Sequence, residues 1–146
     1  MKRFAFKLEK LLELRSFHER KAELVLAEKA GRCAVLEARL KEIAESRVRT
    51  ARGMFASGRD IADYRACELY ILRLDHERDR VLEELARAEV EREEARVEYL
   101  RRHKDREAID KLKERRQADY YRAAEREEIK ALDDLARRRP VEAGGY

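Results

Sequence analysis

The chain has 146 residues, about the length of one ordinary domain, but 47% of them are charged, against roughly 25% in a typical soluble domain. A mean hydropathy of -0.83 leaves too few apolar side chains to line the interior of a compact globule, so an ordinary globular enzyme is excluded. The 36 basic and 32 acidic residues nearly balance and are interleaved, which is typical of a solvated helix surface and not of a dedicated polyanion binder.

The first predicted element is a long helix over residues 4–52. This stretch contains one glycine and no proline, and its apolar or small residues recur at spacings of three and four, near the period of a coiled coil. The members of this stripe are Phe4, Leu8, Leu11, Ala22, Val25, Cys33, Leu36, Leu40 and Ile43.

A turn is predicted next, over residues 53–60. The segment holds Gly53 and Gly58, and Ser57 and Asp60 are residue types that cap a following helix. A second helix is predicted over 61–139, followed by a frayed tail at 140–146 that contains the only proline. Its stripe consists of Cys67, Ile71, Leu74, Val81, Leu85, Ala88, Ala95, Tyr99 and Ile109.

Two long helices joined by a short turn predict an all-α fold, an antiparallel coiled-coil hairpin in a single domain over residues 1–146. The second helix is longer and overhangs the first. With the hinge centred near Ala56, Phe4 is expected opposite Ala108, which leaves 109–139 without an intramolecular partner. That overhang is either a binding surface or a charged helix end that frays.

The side chains that could bind a metal or act in catalysis are not grouped in the sequence as such a site requires. His18, His76 and His103 are scattered and lack the spacing of three or four residues that a helical metal site needs, and no glycine-rich phosphate loop occurs. Cys33 and Cys67 are expected to be free thiols, since a hinge centred near Ala56 places Cys33 opposite residue 79, too far from Cys67 for a disulfide. The sequence therefore predicts no catalytic residue, no metal, no cofactor and no enzymatic activity.

Targeting signals are also lacking from the pattern. No apolar run approaches the roughly 20 residues of a membrane span, and the charged residues of 1–10 are unlike a signal peptide. We therefore expect a cytoplasmic protein.

Both ends of the chain resemble one known family. The first motif consists of Phe4, Phe6, Lys7, Leu8, Glu9, Leu11, Leu12, Leu14 and Arg15. The second consists of Leu112, Lys113, Glu114, Arg115, Arg116, Tyr120, Tyr121, Glu127, Glu128, Lys130, Leu132, Asp133, Asp134, Leu135 and Ala136. A phenylalanine pair opening a helix, and a tyrosine segment before an acidic helix end, resemble the FliJ family of the flagellar type III export apparatus. Chain length and the predicted hairpin are similar to that family throughout.

The resemblance implies a stalk similar to the shaft of rotary ATPases, a monomer that serves flagellum biogenesis and hence motility and chemotaxis. Its implied partners are the hexameric export ATPase, the cytoplasmic domain of the export gate and substrate chaperones. Through them it would lie at the inner face of the cell membrane, at the flagellar base. The implied contacts with the ATPase ring are Phe4, Phe6, Leu8, Leu11, Tyr120, Tyr121, Leu132 and Leu135. Those with the gate or chaperones are Cys67, Ile71, Leu72, Asp75 and Asp79.

Two other functions remain open from the residues themselves. The first is a generic coiled-coil scaffold or homodimeric adaptor, whose overhanging helix pairs with its copy. The second is a coiled coil associated with nucleic acid through the basic residues between Arg101 and Arg106, although no aromatic platform is interleaved there and nucleic acid is not an expected partner.

Overall fold

The computed structural model describes residues 3–138 and is entirely helical apart from the chain start and one turn. Helix α1 spans Glu9–Met54 and helix α2 spans Ile61–Arg138, in that order along the chain. No strand occurs among the described residues, so the predicted all-α class with a longer second helix is confirmed. The predicted tail at 140–146 lies outside the described residues. No helix in the described part of the chain is long and apolar enough to cross a membrane.

The start of α1 differs from the predicted start at residue 4. Residues 3–6 have no regular structure, and a turn at 7–8 leads into the helix at Glu9. The Glu9 amide donates a hydrogen bond to the Phe6 carbonyl at 3.2 Å, and the Leu12 amide donates one to the Leu8 carbonyl at 2.9 Å. Periodic apolar spacing overestimated the helix because Phe4 and Phe6 are buried or half-buried from a non-helical segment, to which helical periodicity does not apply.

The turn between the helices occupies residues 55–60 and ends in a well-formed cap. Gly58 has a φ of 86°, in the left-handed region that glycine adopts without steric cost. The Asp60 carboxylate accepts a hydrogen bond from the Ala62 amide at 3.1 Å, and the Asp63 carboxylate accepts one from the Asp60 amide at 3.2 Å. These reciprocal bonds satisfy amides at the helix start, as in a capping box. The predicted role of Asp60 as a cap is confirmed.

The described residues form two compact units. The turn unit is His18–Arg102, and the terminal unit combines residues 3–17 with residues 103–138. In the turn unit the core is a single seam between α1 and α2, centred on Ile43, Leu74 and Val81, with Leu36 and Leu40 packed against it. The other buried side chains of this unit are Ala22, Cys33, Ala88 and Ala95. All of these residues belong to the two predicted stripes.

Three ion pairs fix the register of the helices within the turn unit. Lys29 Nζ lies 2.8 Å from Glu91 Oε2, Arg47 Nε lies 3.0 Å from Asp75 Oδ1, and Arg39 binds Glu77. Residue numbers fall on α2 as they rise on α1, so the helices are antiparallel here, as the sequence predicted.

The predicted register itself is wrong by several residues. The numbers 29 and 91 have their midpoint at 60, not at the assumed hinge Ala56. In an antiparallel pair, moving the centre of the hinge by one residue along the chain changes the number of the residue opposite any given position by two. Cys33 lies four residues after Lys29, which places it level with about residue 87, four residues before Glu91, and not opposite residue 79. Both cysteines are free thiols, Cys33 buried and Cys67 half-buried.

The seam should carry the stability of the turn unit. Replacing Ile43, which is 2% exposed, by Ala removes buried methyl groups and leaves a cavity, so the free energy of unfolding should fall by about 2 to 4 kcal/mol. The matched control is Val35→Ala on the same helix, since Val35 is 68% exposed and its truncation should cost less than about 0.5 kcal/mol. Urea unfolding followed by circular dichroism measures both, and equal losses would contradict the assigned seam.

The Lys29–Glu91 pair should make stability depend on pH. Its hydrogen bond lowers the pKa of Glu91 below 4.5 and raises the pKa of Lys29 above 10.5. Because the pKa of Glu91 is lower in the folded state, the ion pair stabilises the fold at pH values above the unfolded-state pKa, and this stability is lost as the pH falls through the folded-state pKa. The raised pKa of Lys29 stabilises the fold below its unfolded-state pKa, and that stability is lost as the pH rises through the folded-state pKa. Glu91→Gln should therefore destabilise the chain at neutral pH and match the wild type in acid below the folded pKa of Glu91. Glu45→Gln, at an exposed carboxylate on α1, is the control and should show a smaller difference at neutral pH.

Candidate binding surfaces

An aromatic cluster lies where the chain start meets α2 in the terminal unit. The ring of Phe4 is 5.7 Å from that of Tyr120, tilted by 53°, and the Tyr120 ring is 5.7 Å from that of Tyr121 at 78°. These distances and angles are those of favourable edge-to-face and tilted aromatic pairs. The cluster attaches the non-helical segment to α2.

Charge pairs hold the same segment in place. Glu9, in the first turn of α1, accepts hydrogen bonds from Lys113 Nζ at 2.8 and 2.9 Å, and Arg15 binds Asp105 at 3.0 Å. Phe6, between Phe4 and Glu9, is 9% exposed. The acidic residue at the α1 start also lies where the helix dipole favours negative charge.

These contacts correct the predicted overhang. Phe4 contacts Tyr120, twelve positions beyond the expected Ala108, and Lys113 pairs with Glu9. Lys113 and Tyr120, both beyond residue 109, therefore have intramolecular partners, and Tyr120 is half-buried, whereas residues 114–119 are exposed. A misplaced hinge explains part of this error, and residues 3–6 are not helical, so the helical rise per residue assumed for Phe4 does not apply to it.

Beyond Tyr120 the second helix is exposed. Every residue from 121 to 137 is exposed except the half-buried Ala124. Four large apolar or aromatic side chains project into solvent there, Tyr121 at 46%, Ile129 at 52%, Leu132 at 65% and Leu135 at 63% exposure. We call these four residues the distal face. The predicted ring contacts thus divide into two groups: Tyr121, Leu132 and Leu135 lie on this face, whereas Phe4, Phe6, Leu8, Leu11 and Tyr120 are buried or half-buried.

The predicted gate contacts also divide between two environments. Leu72 and Asp79 are exposed, whereas Cys67, Ile71 and Asp75 are half-buried. Asp75 is bound to Arg47 at 3.0 Å and to Arg78 at 3.3 Å. Arg59 Nη1 donates a hydrogen bond to Cys67 Sγ at 3.2 Å. The half-buried residues are therefore already engaged within the turn unit.

Sequence reasoning missed two exposed side chains near the start of α2. Ile61 is 73% and Leu69 67% exposed, and both lie close in helical phase to Leu72 at 55%. Spacings of eight and three residues place them on one side of the helix. The sequence carries this spacing, but it differs from the spacing of the buried seam residues on which the prediction relied. We call Ile61, Leu69 and Leu72 the turn-proximal face.

The basic cluster that suggested nucleic acid is largely neutralised within the chain. Arg101 and Arg102 bind Glu98 at 3.1 and 2.8 Å, and the bond from Arg102 is the main cause of the lowered pKa of the Glu98 carboxyl. Arg106 binds Asp110 at 2.5 Å, and Lys111 lowers the pKa of Glu107 through a hydrogen bond. Guanidinium groups held by carboxylates are poor starting points for phosphate contacts.

No group of three or more His, Cys, Asp and Glu side chains among the described residues is arranged to hold a metal ion. The surfaces that the terminal and turn units offer are helix faces with apolar side chains set among charges, which suit binding to another protein.

The chain matches a known protein family. A family model described as "Flagellar FliJ protein" matches residues 4–145, nearly the whole chain. Searches of the curated proteins and of the solved structures found no match. The family match spans the non-helical segment, both helices and the turn, and the chain therefore belongs to the FliJ family of flagellar proteins.

Proposed function

We propose that this protein, a component of the flagellar export apparatus by its family, acts there without enzymatic activity as a stalk in the hexameric export ATPase. The observation that supports this role best is the distal face, which exposes Leu132 and Leu135 on a helix that continues past its Phe4–Tyr120 contact. Large apolar side chains exposed together mark a surface for another protein.

The distal face suits insertion into a ring of ATPase subunits. Tyr121 and Leu132 are eleven residues apart, close to three helical turns, and Leu135 follows one turn later, so the three lie along one side of α2. Charged residues surround them and keep the helix soluble before it binds. A stalk influences its ring only if it binds some ring conformations more tightly than others. A few anchors in a charged surface allow such contacts to form and break during turnover.

We place the export gate and the substrate chaperones at the other proposed surface, the turn-proximal face. The implied gate contacts Leu72 and Asp79 are exposed there, and Leu69 and Ile61 extend the apolar area. Cys67, Ile71 and Asp75 would then support the surface from the seam side. In this role the protein works in the cytoplasm and reaches the inner face of the cell membrane at the flagellar base only through its partners.

The distal face should be needed for stimulation of the ATPase but not for folding. Leu132→Ala with Leu135→Ala should leave the melting temperature nearly unchanged, because both side chains are more than 60% exposed. If they are well-packed anchors in the ring, truncation should weaken binding by about 2 kcal/mol or more, roughly thirtyfold. The measurements are thermal melting and stimulation of the purified export ATPase.

The seam variant Ile43→Ala is the opposite control, since it should melt early and yet stimulate normally at a temperature where it is folded. A distal double variant that melts as early as the seam variant and stimulates fully would overturn the assignment of the ring end.

Tyr120 should behave as a structural residue, although its position had suggested a ring anchor. Its ring packs on Phe4, so a double-mutant cycle with Phe4→Ala and Tyr120→Ala should give a coupling energy of about 0.5 to 1.5 kcal/mol. The neighbouring Tyr121→Ala, at a 46% exposed position, should show weaker coupling with Phe4→Ala. Equal coupling for both tyrosines would mean that the aromatic contact does not hold the chain start.

A further inference from the structure

In the turn unit, α2 carries a second apolar stripe on the side opposite its seam. The buried seam residues Val81, Ala88 and Ala95 are seven residues apart and face α1. The members of the second stripe are exposed and lie one, two or five residues after a seam residue, which places them on the far side of the helix; they are Leu82, Ala86, Val90, Val97 and Leu100. Val90 is 59% and Val97 58% exposed. Because α1 covers only the seam stripe of α2, the second apolar stripe is left exposed to solvent.

The charges beside this second stripe have few partners within the chain. Arg87 reaches only the Glu83 carbonyl, at 3.4 Å, and neither Glu89 nor Glu94 forms an ion pair within the part of the chain that the structure describes. By contrast, Glu91 lies on the α1 side of the helix and forms an ion pair with Lys29. Arg87, Glu89 and Glu94 are therefore available to a partner.

We propose that the second stripe binds the same stripe of a second copy of this chain, with the two helices antiparallel about a two-fold axis between residues 91 and 92. This register places Ala86 against Val97 of the second copy and Val90 against Glu93 of the second copy. Leu100 of the second copy comes against Glu83, with Leu82 beside it. The two-fold axis repeats each contact. The stripe residues on both copies thus become seam residues of a second, intermolecular helix pair.

Charge complementarity selects this occupant and this register. Arg87 comes beside Glu94 of the second copy, and Glu89 comes beside Arg96 of the second copy. Symmetry makes four such pairs. Arg96 is exposed and binds Glu93 at 2.8 Å within its own chain, so it can be shared between the two carboxylates. Self-complementarity of this kind is the requirement for a symmetric dimer.

The same register also limits the interface. Arg80 would lie beside Arg101 of the second copy, and these like charges end the pairing on both sides. The contact therefore covers about 18 residues per helix, roughly 27 Å, and includes Glu83 and Glu93 in its row of facing residues, which weakens it further. A strip of this length buries less than the roughly 1,200 Å² of a stable complex. The dimer is weak and reversible, and the chain is a monomer when dilute.

The full chain should therefore associate as its concentration rises. Sedimentation equilibrium at low salt should show an average mass climbing from 17.4 kDa toward twice that value, and added salt should reverse the rise by screening the charge pairs. A mass that stays at one chain up to the solubility limit overturns the proposal.

Charge reversal tests the register directly. Arg87→Glu alone sets Glu beside Glu94 of the second copy, and Glu94→Arg alone sets Arg beside Arg87 of the second copy, so each variant alone should associate at least tenfold more weakly. An equal mixture of the two should recover association, because opposite charges then meet at both sites. The chain with both changes should recover it as well. A mixture that stays monomeric, or single variants that associate like the wild type, overturns the proposed register.

An apolar variant and its control separate this face from the rest of the surface. Val97→Lys should abolish association, whereas Val35→Lys, at a similarly exposed valine on α1, should leave it unchanged. Unchanged circular dichroism shows that each variant is folded. Equal effects of the two lysines would mean that association occurs through another surface, and the proposal would fail.

Discussion

The scarcity of apolar side chains is the constraint on which the rest of the structure depends. With nearly half of the chain charged, each helix has few apolar residues to bury, and in the turn unit they form one seam around Ile43, Leu74 and Val81. A seam this narrow does not fix the register by itself, because apolar side chains at a repeating spacing can pack in more than one alignment of the two helices. Ion pairs across the helices, such as Lys29–Glu91, supply the missing information.

Individually these pairs contribute little stability, because they lie in solvent and are screened by salt. Their role is to disfavour other registers, in which like charges would meet. The same logic holds within the terminal unit, where Glu9–Lys113 and Arg15–Asp105 accompany the Phe4–Tyr120 contact. In both units the apolar contacts stabilise the helix pair and the charges select its alignment.

The fold could be predicted from the sequence because it depends on local rules. Spacings of three and four residues identified both helices and the seam, and the glycines with Asp60 located the turn. The register could not be predicted from the same rules. Within the turn unit it depends on how the turn at 55–60 is closed, and an error in the assumed centre of the turn changes the partner of each residue by twice as much. The misplacement of Cys33 opposite residue 79 shows this directly.

The candidate sites were predicted less completely for a related reason. Burial is a property of the helix pair, so a list of apolar residues does not separate anchors from seam residues. Tyr120 and Tyr121 are adjacent in sequence, yet one is half-buried against Phe4 and the other is exposed. Similarly, Leu72 is exposed whereas Ile71 faces the seam. Only the period of the exposed residues, followed separately from that of the seam, could have revealed the turn-proximal face and the second stripe.

The attachment of the chain start bears on how the proposed stalk presents its binding face. Because Phe4 and Phe6 pack as a non-helical segment, the aromatic surface of Tyr120 is used within the protein. The distal part of α2 left for a partner then begins at Tyr121, since every residue from there to 137 is exposed except the half-buried Ala124. A surface that does not contribute to the fold can bind and release a partner without weakening the helix pair. That separation of stabilising contacts from binding contacts is what a reusable stalk requires.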